Sequence, residues 1–151
     1  MRYLAVDLGG RRTGLAVGDD GTRIATPLEV IEEPPGPRLV AAILRAVREQ
    51  APDALVVGLP LNMDGSEGPA ARRTREFAAT LAAATGLAVH HHDERLSSFA
   101  AEGDLAGSGF TRRGKKRRLD AVAAARILRG FLDAGATPRR DPPADAVEDD
   151  R

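Results

Sequence analysis

The first nineteen residues constrain the fold most, because they predict two short strands joined by a tight turn. Apolar runs at residues 3–8 and 14–17 are separated by a glycine pair at 9–10, where a chain can turn sharply with positive φ. Asp7 lies near the end of the first run, where a carboxylate is costly unless a cation or hydrogen-bond donors satisfy it. Either Asp7 accepts hydrogen bonds from the backbone of the turn, or the strand end presents it to a ligand. We favour the second interpretation, because a strand-end carboxylate beside a glycine turn is a common way to build a site.

The composition favours a single domain with an aliphatic core. Of the 151 residues, 42% are apolar but only 3% are aromatic, and no cysteine is present. A cysteine-free chain cannot form a disulfide framework, a thiolate metal site or a cysteine nucleophile. Neither a secretory leader nor an apolar run of about 20 residues is evident, so we expect a cytoplasmic protein without a membrane segment. We expect the domain to span residues 1–136 and the Pro-rich, acidic tail at 137–151 to be disordered.

Strand and helix patterns alternate along the rest of the domain. Residues 22–31 resemble a third strand, in which Pro27 marks an edge or a bulge. Residues 53–59 are almost continuously apolar, which fits a strand covered on both faces, as in the parallel part of a sheet. Periodicity and chain breakers predict one further strand at 87–92 and four helices, at residues 38–50, 69–84, 97–107 and 119–134.

Two further acids lie where apolar elements end or begin. Glu94 follows the strand at 87–92, where it either contributes to a site or forms a local salt bridge or helix cap. Asp120 shares the apolar stripe of the last helix, but an acid in the first helical turn would also complement the helix dipole. Both interpretations of Asp120 stay open. The three histidines at 90–92 alternate faces along their strand, so we interpret them as strand residues rather than as metal ligands.

Cationic side chains are concentrated in the predicted turn and in a run of six cations at residues 112–118. This run, within a segment at 107–118 that we expect to be flexible, is either an ordinary solvated loop or a contact surface for nucleic acid. The polar loop at 61–69 follows a predicted strand end, where α/β sheets bind ligands. Its residues Asn62, Ser66 and Glu67 either contact substrate or serve as turn and cap residues. Candidate substrate-binding residues are therefore Arg11, Arg12, Asn62, Arg112, Arg113, Lys115, Lys116, Arg117 and Arg118.

Asp7, Glu94 and Asp120 together suit a hard divalent cation. All three are carboxylates at the ends of core elements, and Mg²⁺ and Mn²⁺ prefer oxygen ligands. Without a cation, three converging acids would repel one another and one would tend to be protonated. With one or two ions, they could direct the in-line attack of water on a phosphodiester. We therefore predict that these three acids are both the catalytic residues and the metal ligands, with Mg²⁺ or Mn²⁺ as cofactor.

Four motifs together resemble the YqgF-type family of pre-16S rRNA nucleases and Holliday-junction-resolvase-like proteins. They are MRYLAVDLGGRRTGLAVGD, VVGLPLNMDGSEG, HDERLSS and KKRRLDAVAAARIL, and they extend in order from residue 1 to about residue 133. The resemblance implies an α/β fold of the ribonuclease-H-like type: a mixed five-stranded sheet, its first three strands antiparallel, with helices on both faces. It also implies that the family's acidic triad falls on Asp7, Glu94 and Asp120. For Arg95 and the loop at Asn62 it implies substrate binding or structural support.

The resemblance implies metal-dependent hydrolysis of phosphodiester bonds in structured nucleic acid, above all in maturation of the 16S rRNA 5′ end. Cutting of branched DNA such as Holliday junctions is the alternative within the same chemistry. A non-catalytic RNA-binding factor in ribosome biogenesis is the alternative outside it. Actin-like ATPases share the opening hairpin but need two such domains around the nucleotide. We expect pre-rRNA or branched DNA, and ribosomal particles, as partners of a monomer or homodimer that does not bind membranes.

Overall fold

The computed structural model describes residues 1–96 and 112–134. The strands are β1 (Arg2–Leu8), β2 (Thr13–Asp19), β3 (Ala25–Ile31), β4 (Ala54–Leu59) and β5 (Ala88–Asp93). The helices are α1 (Pro37–Gln50), α2 (Pro69–Thr85) and α3 (Arg112–Asp133), and a 3₁₀ turn at Glu94–Leu96 follows β5. None of the helices in these two stretches combines the length and the hydropathy that a membrane span needs.

The five strands form one mixed sheet in the order β3-β2-β1-β4-β5. β2 is antiparallel to both β1 and β3, whereas β4 is parallel to both β1 and β5. The mixed sheet whose first three strands are antiparallel is thereby confirmed. Pro27 lies on the edge strand β3, opposite Ala16, where the pairing register shifts between Leu15 and Ala16. The predicted edge or bulge is therefore both, and a residue without an N–H is tolerated in such a position.

The apolar side chains of the strands build one core on each face of the sheet. α1 and α2 cover one face, with fully buried residues such as Leu39, Ile43 and Leu81. α3 covers the other face with buried residues such as Ile127 and Leu128. Helices therefore lie on both faces, as predicted. Because side chains alternate along β1, Asp7 lies on the same face as Tyr3 and Ala5, which is the α3 face.

α3 begins at Arg112, earlier than the sequence suggested. The expectation of a flexible segment was therefore wrong for residues 112–118, whose backbone is helical. Lys and Arg are good helix formers, and the single Gly114 does not interrupt the helix. The early start also places Asp120 well inside the helix. An acid complements the helix dipole only within the first turn, so the dipole explanation for Asp120 does not apply.

Two turns differ from their predictions for local reasons. β3 begins at Ala25 instead of residue 22, because Asp19 Oδ1 accepts a 2.8 Å hydrogen bond from the Thr22 N–H and closes a turn there. In the β1–β2 turn, neither Gly9 nor Gly10 has positive φ. A glycine is nevertheless required at position 9, because a Cβ atom there would collide with the backbone carbonyl of Arg12.

Three predictions lie outside the described residues. They are the short helix at 97–107, the remainder of the flexible segment at 107–111 and the disordered tail at 137–151. The domain boundary at residue 136 lies outside them as well.

Candidate active site

Three parallel strands, β1, β4 and β5, end at the same edge of the sheet. Asp7 is the penultimate residue of β1, and Glu94 opens the 3₁₀ turn directly after β5. Asp120 reaches this edge from α3, whose backbone at Asp120 packs against Gly14 of β2. Gly14 is in turn the partner of Asp7 across the β1–β2 ladder. The three acids that the sequence singled out are therefore neighbours in space.

Asp7 and Glu94 share a hydrogen bond, and the surroundings of Asp7 favour its protonated form. Burial is the main cause, followed by the negative charges of Glu94 and Asp120 and by the hydrogen bond, and together they raise the pKa of Asp7 from 3.8 to about 7. Burial also raises the pKa of Glu94, an effect that the hydrogen bond from Asp7 opposes. Protonated Asp7 is thus the donor and Glu94 the acceptor. Neighbouring carboxyl groups in an environment of low dielectric constant have raised pKa values, because their charged forms are poorly solvated and repel one another.

A positive charge reaches the acids from the β1–β2 turn. Nε of Arg12 lies 3.3 Å from Oδ2 of Asp120, and the two side chains are only 21% and 30% exposed. The turn that carries Arg12 is closed by a 3.0 Å hydrogen bond from the Gly9 N–H to the Arg12 carbonyl. Arg12, predicted to bind substrate, therefore contacts a predicted metal ligand, whereas the side chain of Arg11 is exposed.

Two glycines flank Asp7 on the neighbouring strands and make room for the other acids. A Cβ atom at Gly14 would collide with the backbone carbonyl of Asp120. Gly58 follows Val57, the β4 partner of Val6, and a Cβ atom there would meet the side chain of Ile127 and lie 3.5 Å from Glu94 Oε2. Sequence reasoning missed both positions. A signal was present, because glycine inside a strand often marks a close approach of another backbone or a ligand.

We predict that Gly14→Ala lowers the free energy of unfolding by about 1–3 kcal/mol, because α3 must move away from β2 to accommodate the methyl group. Cleavage should fall as well, since the same movement displaces Asp120. Urea unfolding followed by circular dichroism measures the stability. Gly10→Ala is the matched control, because a Cβ atom at Gly10 would have no atom within 4 Å and should leave stability nearly unchanged. Equal stabilities of the two variants would contradict the tight β2–α3 contact.

The donor chemistry of the three acids fits a hard divalent cation. All their donor atoms are carboxylate oxygens, and the raised pKa of Asp7 reflects burial and a repulsion that a bound cation could relieve. Within residues 1–96 and 112–134, however, no three acidic or histidine side chains already surround a common point at ligand distances. Asp7 and Glu94 contact each other, whereas Asp120 lies in the ion pair with Arg12. An ion that binds Asp120 through Oδ2 therefore competes with Arg12 for this oxygen.

Arg95 and Asn62 hold the loop after β4 in place. Arg95 Nη1 donates to the carbonyls of Asn62 at 3.1 Å and Met63 at 2.8 Å, and its Nε and Nη2 donate to Asp93. Asn62 Nδ2 donates to Ser66 Oγ at 3.0 Å, and the Gly65 N–H closes a turn on the Asn62 carbonyl. These contacts are the turn and support roles that the sequence left open beside substrate binding.

The remaining candidates are distributed around the acids. Arg11 and Arg12 line a groove of about 520 Å³ together with Glu32 and Pro34. The basic run forms the first turns of α3, just before Asp120.

His90 packs in the core on the α3 side of the sheet, where its ring centroid lies 6.1 Å from that of Tyr3 and 5.2 Å from that of Phe131.

Known proteins share this sequence pattern along nearly the whole chain. A family model described as "RuvX: Holliday junction resolvase" matches residues 1–134. A protein of Anaeromyxobacter sp. (strain Fw109-5) named "Putative pre-16S rRNA nuclease" is 52% identical over 133 residues, which cover 88% of this chain and 97% of the relative. A protein of the same name from Chloroflexus aurantiacus (strain ATCC 29366 / DSM 635 / J-10-fl) is 45% identical over 131 residues, with 87% and 86% covered.

Solved structures of resolvases share the fold. RuvC of T. thermophilus in complex with Holliday junction substrate aligns with a TM-score of 0.55 at 19% identity, over 89% of this chain and 95% of that chain. The fowlpox virus resolvase in complex with substrate Holliday junction DNA aligns with a TM-score of 0.54 at 11% identity, over 89% and 98%. At these identities the likeness concerns the fold alone, and it confirms the ribonuclease-H-like architecture.

Proposed function

The chain belongs to the RuvX family, and we propose that it is a nuclease that hydrolyses phosphodiester bonds in structured nucleic acid with the help of Mg²⁺ or Mn²⁺. The observation that carries this proposal is the convergence of Asp7, Glu94 and Asp120 at one edge of the sheet, where Asp7 shares a hydrogen bond with Glu94 and its β2 partner Gly14 packs against the backbone of Asp120. A buried carboxyl whose pKa is raised by two other carboxyls is costly for the fold. Such an arrangement is typical of functional sites, and three carboxylates favour a hard cation.

The substrate we propose is a precursor of 16S rRNA, trimmed at its 5′ end. Support comes from the name shared by relatives at 45–52% identity. A four-way DNA junction is the second candidate, favoured by the description of the family model. As a nuclease of pre-rRNA, the protein would act in the cytoplasm and contact ribosomal particles, as a monomer or a homodimer.

The chain's own residues divide the work by their positions. Asp7 and Glu94 would hold the ion after losing the proton they share, and Asp120 would complete the site from α3. The bound ion would supply an activated water and stabilise the leaving oxygen. Arg11 and the basic run Arg112, Arg113, Lys115, Lys116, Arg117 and Arg118 would bind backbone phosphates beside the acids. Asn62 and Arg95 would keep the loop after β4 in place at the rim of the site.

The decisive experiment offers the purified protein a panel of substrates with Mn²⁺, with Mg²⁺ and with EDTA. The panel holds a 16S rRNA precursor with its 5′ leader, an unrelated RNA hairpin, a four-way DNA junction and a linear DNA duplex. We expect metal-dependent cleavage, fastest on the rRNA precursor. Binding of RNA without cleavage in any metal would support the non-catalytic factor instead, and phosphate release from ATP would support the ATPase.

Neutralising Lys115, Lys116, Arg117 and Arg118 to Gln should weaken nucleic-acid binding and flatten its dependence on salt. Each cation on a duplex phosphate releases counterions, so the slope of log affinity against log salt should fall by about 0.9 for each phosphate that is no longer neutralised. Fluorescence anisotropy with a labelled substrate at several salt concentrations, in EDTA, measures this slope without cleavage.

A charge-matched control for the basic run lies on the opposite face of the sheet. Arg45 and Arg48 on α1, and Arg72 and Arg73 on α2, are exposed. Their replacement by Gln removes the same charge from the face covered by α1 and α2, whereas Asp120 belongs to α3 on the other face, so it should change the slope far less. Equal slopes for the two quadruple variants would show that only net charge matters and that the basic run does not touch the nucleic acid.

A further inference from the structure

Two adjacent arginines in the β1–β2 turn have different surroundings. Arg11 is exposed, whereas Arg12 is 21% exposed and its Nε lies 3.3 Å from Oδ2 of Asp120. The hydrogen bond from the Gly9 N–H to the Arg12 carbonyl closes the turn at the residue that points inward. The turn is therefore shaped to present one guanidinium, and not its neighbour, to the acids.

The neighbourhood of Arg12 explains why a cation is useful there. Asp7, Glu94 and Asp120 are close enough that the charges of the last two act on the first. Without compensation, three carboxylates in a partly buried place would repel one another strongly. The guanidinium of Arg12, whose Nε lies 3.3 Å from Oδ2 of Asp120, relieves the part of this repulsion that falls on Asp120.

We propose that Arg12 is a positioning residue, which acts as the internal counter-ion of Asp120 and releases this carboxylate when a divalent cation binds. The inference rests on the proposed function, because it presupposes that the acids bind a cation. It also changes the role expected for Arg12 from the sequence, where it was grouped with Arg11 as a substrate contact. In the cation-free protein, Arg12 is engaged within the site itself.

Release of Asp120 gives Arg12 a second task. Arg12 also lines the groove of about 520 Å³ that it shares with Arg11, Glu32 and Pro34. A guanidinium freed from Asp120 lies beside this groove, where it can form a charge-assisted hydrogen bond with a substrate phosphate. Cation binding and phosphate binding are thereby coupled, and each should strengthen the other.

The affinity for Mn²⁺ tests the proposal without any cleavage assay. Electron paramagnetic resonance of free Mn²⁺ gives the dissociation constant for the wild type, Arg12→Gln, Arg12→Lys and Arg11→Gln. Because Arg12 competes with the cation for Asp120, Arg12→Gln should bind Mn²⁺ about fivefold more tightly, as expected for loss of a partly exposed ion pair. Arg11→Gln removes the same charge from the preceding position of the same turn and should leave the affinity for Mn²⁺ close to that of the wild type. Arg12→Lys keeps the charge but loses Nε, and should lie between wild type and Arg12→Gln.

Thermal unfolding in EDTA gives an independent readout. Arg12→Gln should unfold at a lower temperature than Arg11→Gln, because of these two arginines it is Arg12 that forms the ion pair with Asp120. A merely structural role for Arg12 would also lower the unfolding temperature, but it would weaken Mn²⁺ binding instead of strengthening it.

Equal Mn²⁺ affinities for wild type and Arg12→Gln would overturn this inference and leave the proposed function standing. Absence of Mn²⁺ binding in every protein would overturn the proposed function itself. If Arg12→Gln does not fold, wild-type affinity in Arg12→Lys overturns the inference.

Discussion

Replacement of Asp7 by Asn is expected to lower cleavage of structured RNA or branched DNA by about a thousandfold or more. Asn keeps the size of the side chain, and its amide can donate to Glu94 as the protonated carboxyl does. The fold therefore has no reason to change. What Asn lacks is a negatively charged oxygen for a cation, and a bound cation contributes several kcal/mol to stabilising the transition state. Single-turnover cleavage at saturating Mn²⁺, on the substrate that the wild type cuts fastest, measures the loss.

Asp133→Asn is the matched control for this experiment. Asp133 is an exposed acid at the far end of α3, 3.2 Å from Arg129, so its loss should leave cleavage unchanged. Both variants are purified in parallel, so that a contaminating nuclease would appear in both. Wild-type cleavage by Asp7→Asn would remove Asp7 from the chemistry. Loss of the fold with Asp7→Asn would contradict the expectation that Asn replaces the carboxyl without changing the structure.

The acids could be predicted from the sequence because each interrupts a strong local pattern. Asp7 lies near the end of one apolar run that predicts a strand, Glu94 follows another, and Asp120 occupies the apolar stripe of a helix. Strand ends of one parallel set meet at one edge, so local patterns were sufficient to bring Asp7 and Glu94 together. For Asp120 the sequence left two explanations open. The start of α3 at Arg112 rules out the helix-dipole explanation, because it places Asp120 beyond the first helical turn.

Other features of the site depend on contacts between distant segments and could not be predicted from local patterns. Arg11 and Arg12 are adjacent residues of the same type, so no local pattern distinguishes them. The geometry of the turn determines that Arg12 points toward Asp120. From the sequence, Gly14 and Gly58 are residues with a low propensity for strands. Their role is evident only from the packing of α3 and Glu94 against them. The start of α3 was missed because a run of cations suggests solvent, although Lys and Arg also favour helices.

The free energy of unfolding of the metal-free protein should fall with rising pH, relative to that of Asp7→Asn. The pKa of Asp7 is 3.8 when it is unperturbed and about 7 in the fold. Between these values the folded state binds more protons than the unfolded state. The stability that protonation of Asp7 provides is therefore complete below pH 3.8 and is lost as the pH rises through 7. The difference between the two pKa values corresponds to a loss on the order of 4 kcal/mol in the free energy of unfolding.

Urea unfolding of the wild type and of Asp7→Asn, in EDTA at a series of pH values, measures this loss. Groups that do not interact with Asp7 cancel in the difference, which should rise from near zero at acid pH to a plateau above neutrality, with the Asn variant the more stable. Glu94→Gln is the second variant: because the charge of Glu94 helps to raise the pKa of Asp7, its removal should shift the transition to lower pH. A difference that does not change with pH would mean that Asp7 titrates as an ordinary carboxyl. The three acids would then not share one electrostatic environment, and the premise for a cation between them would be lost.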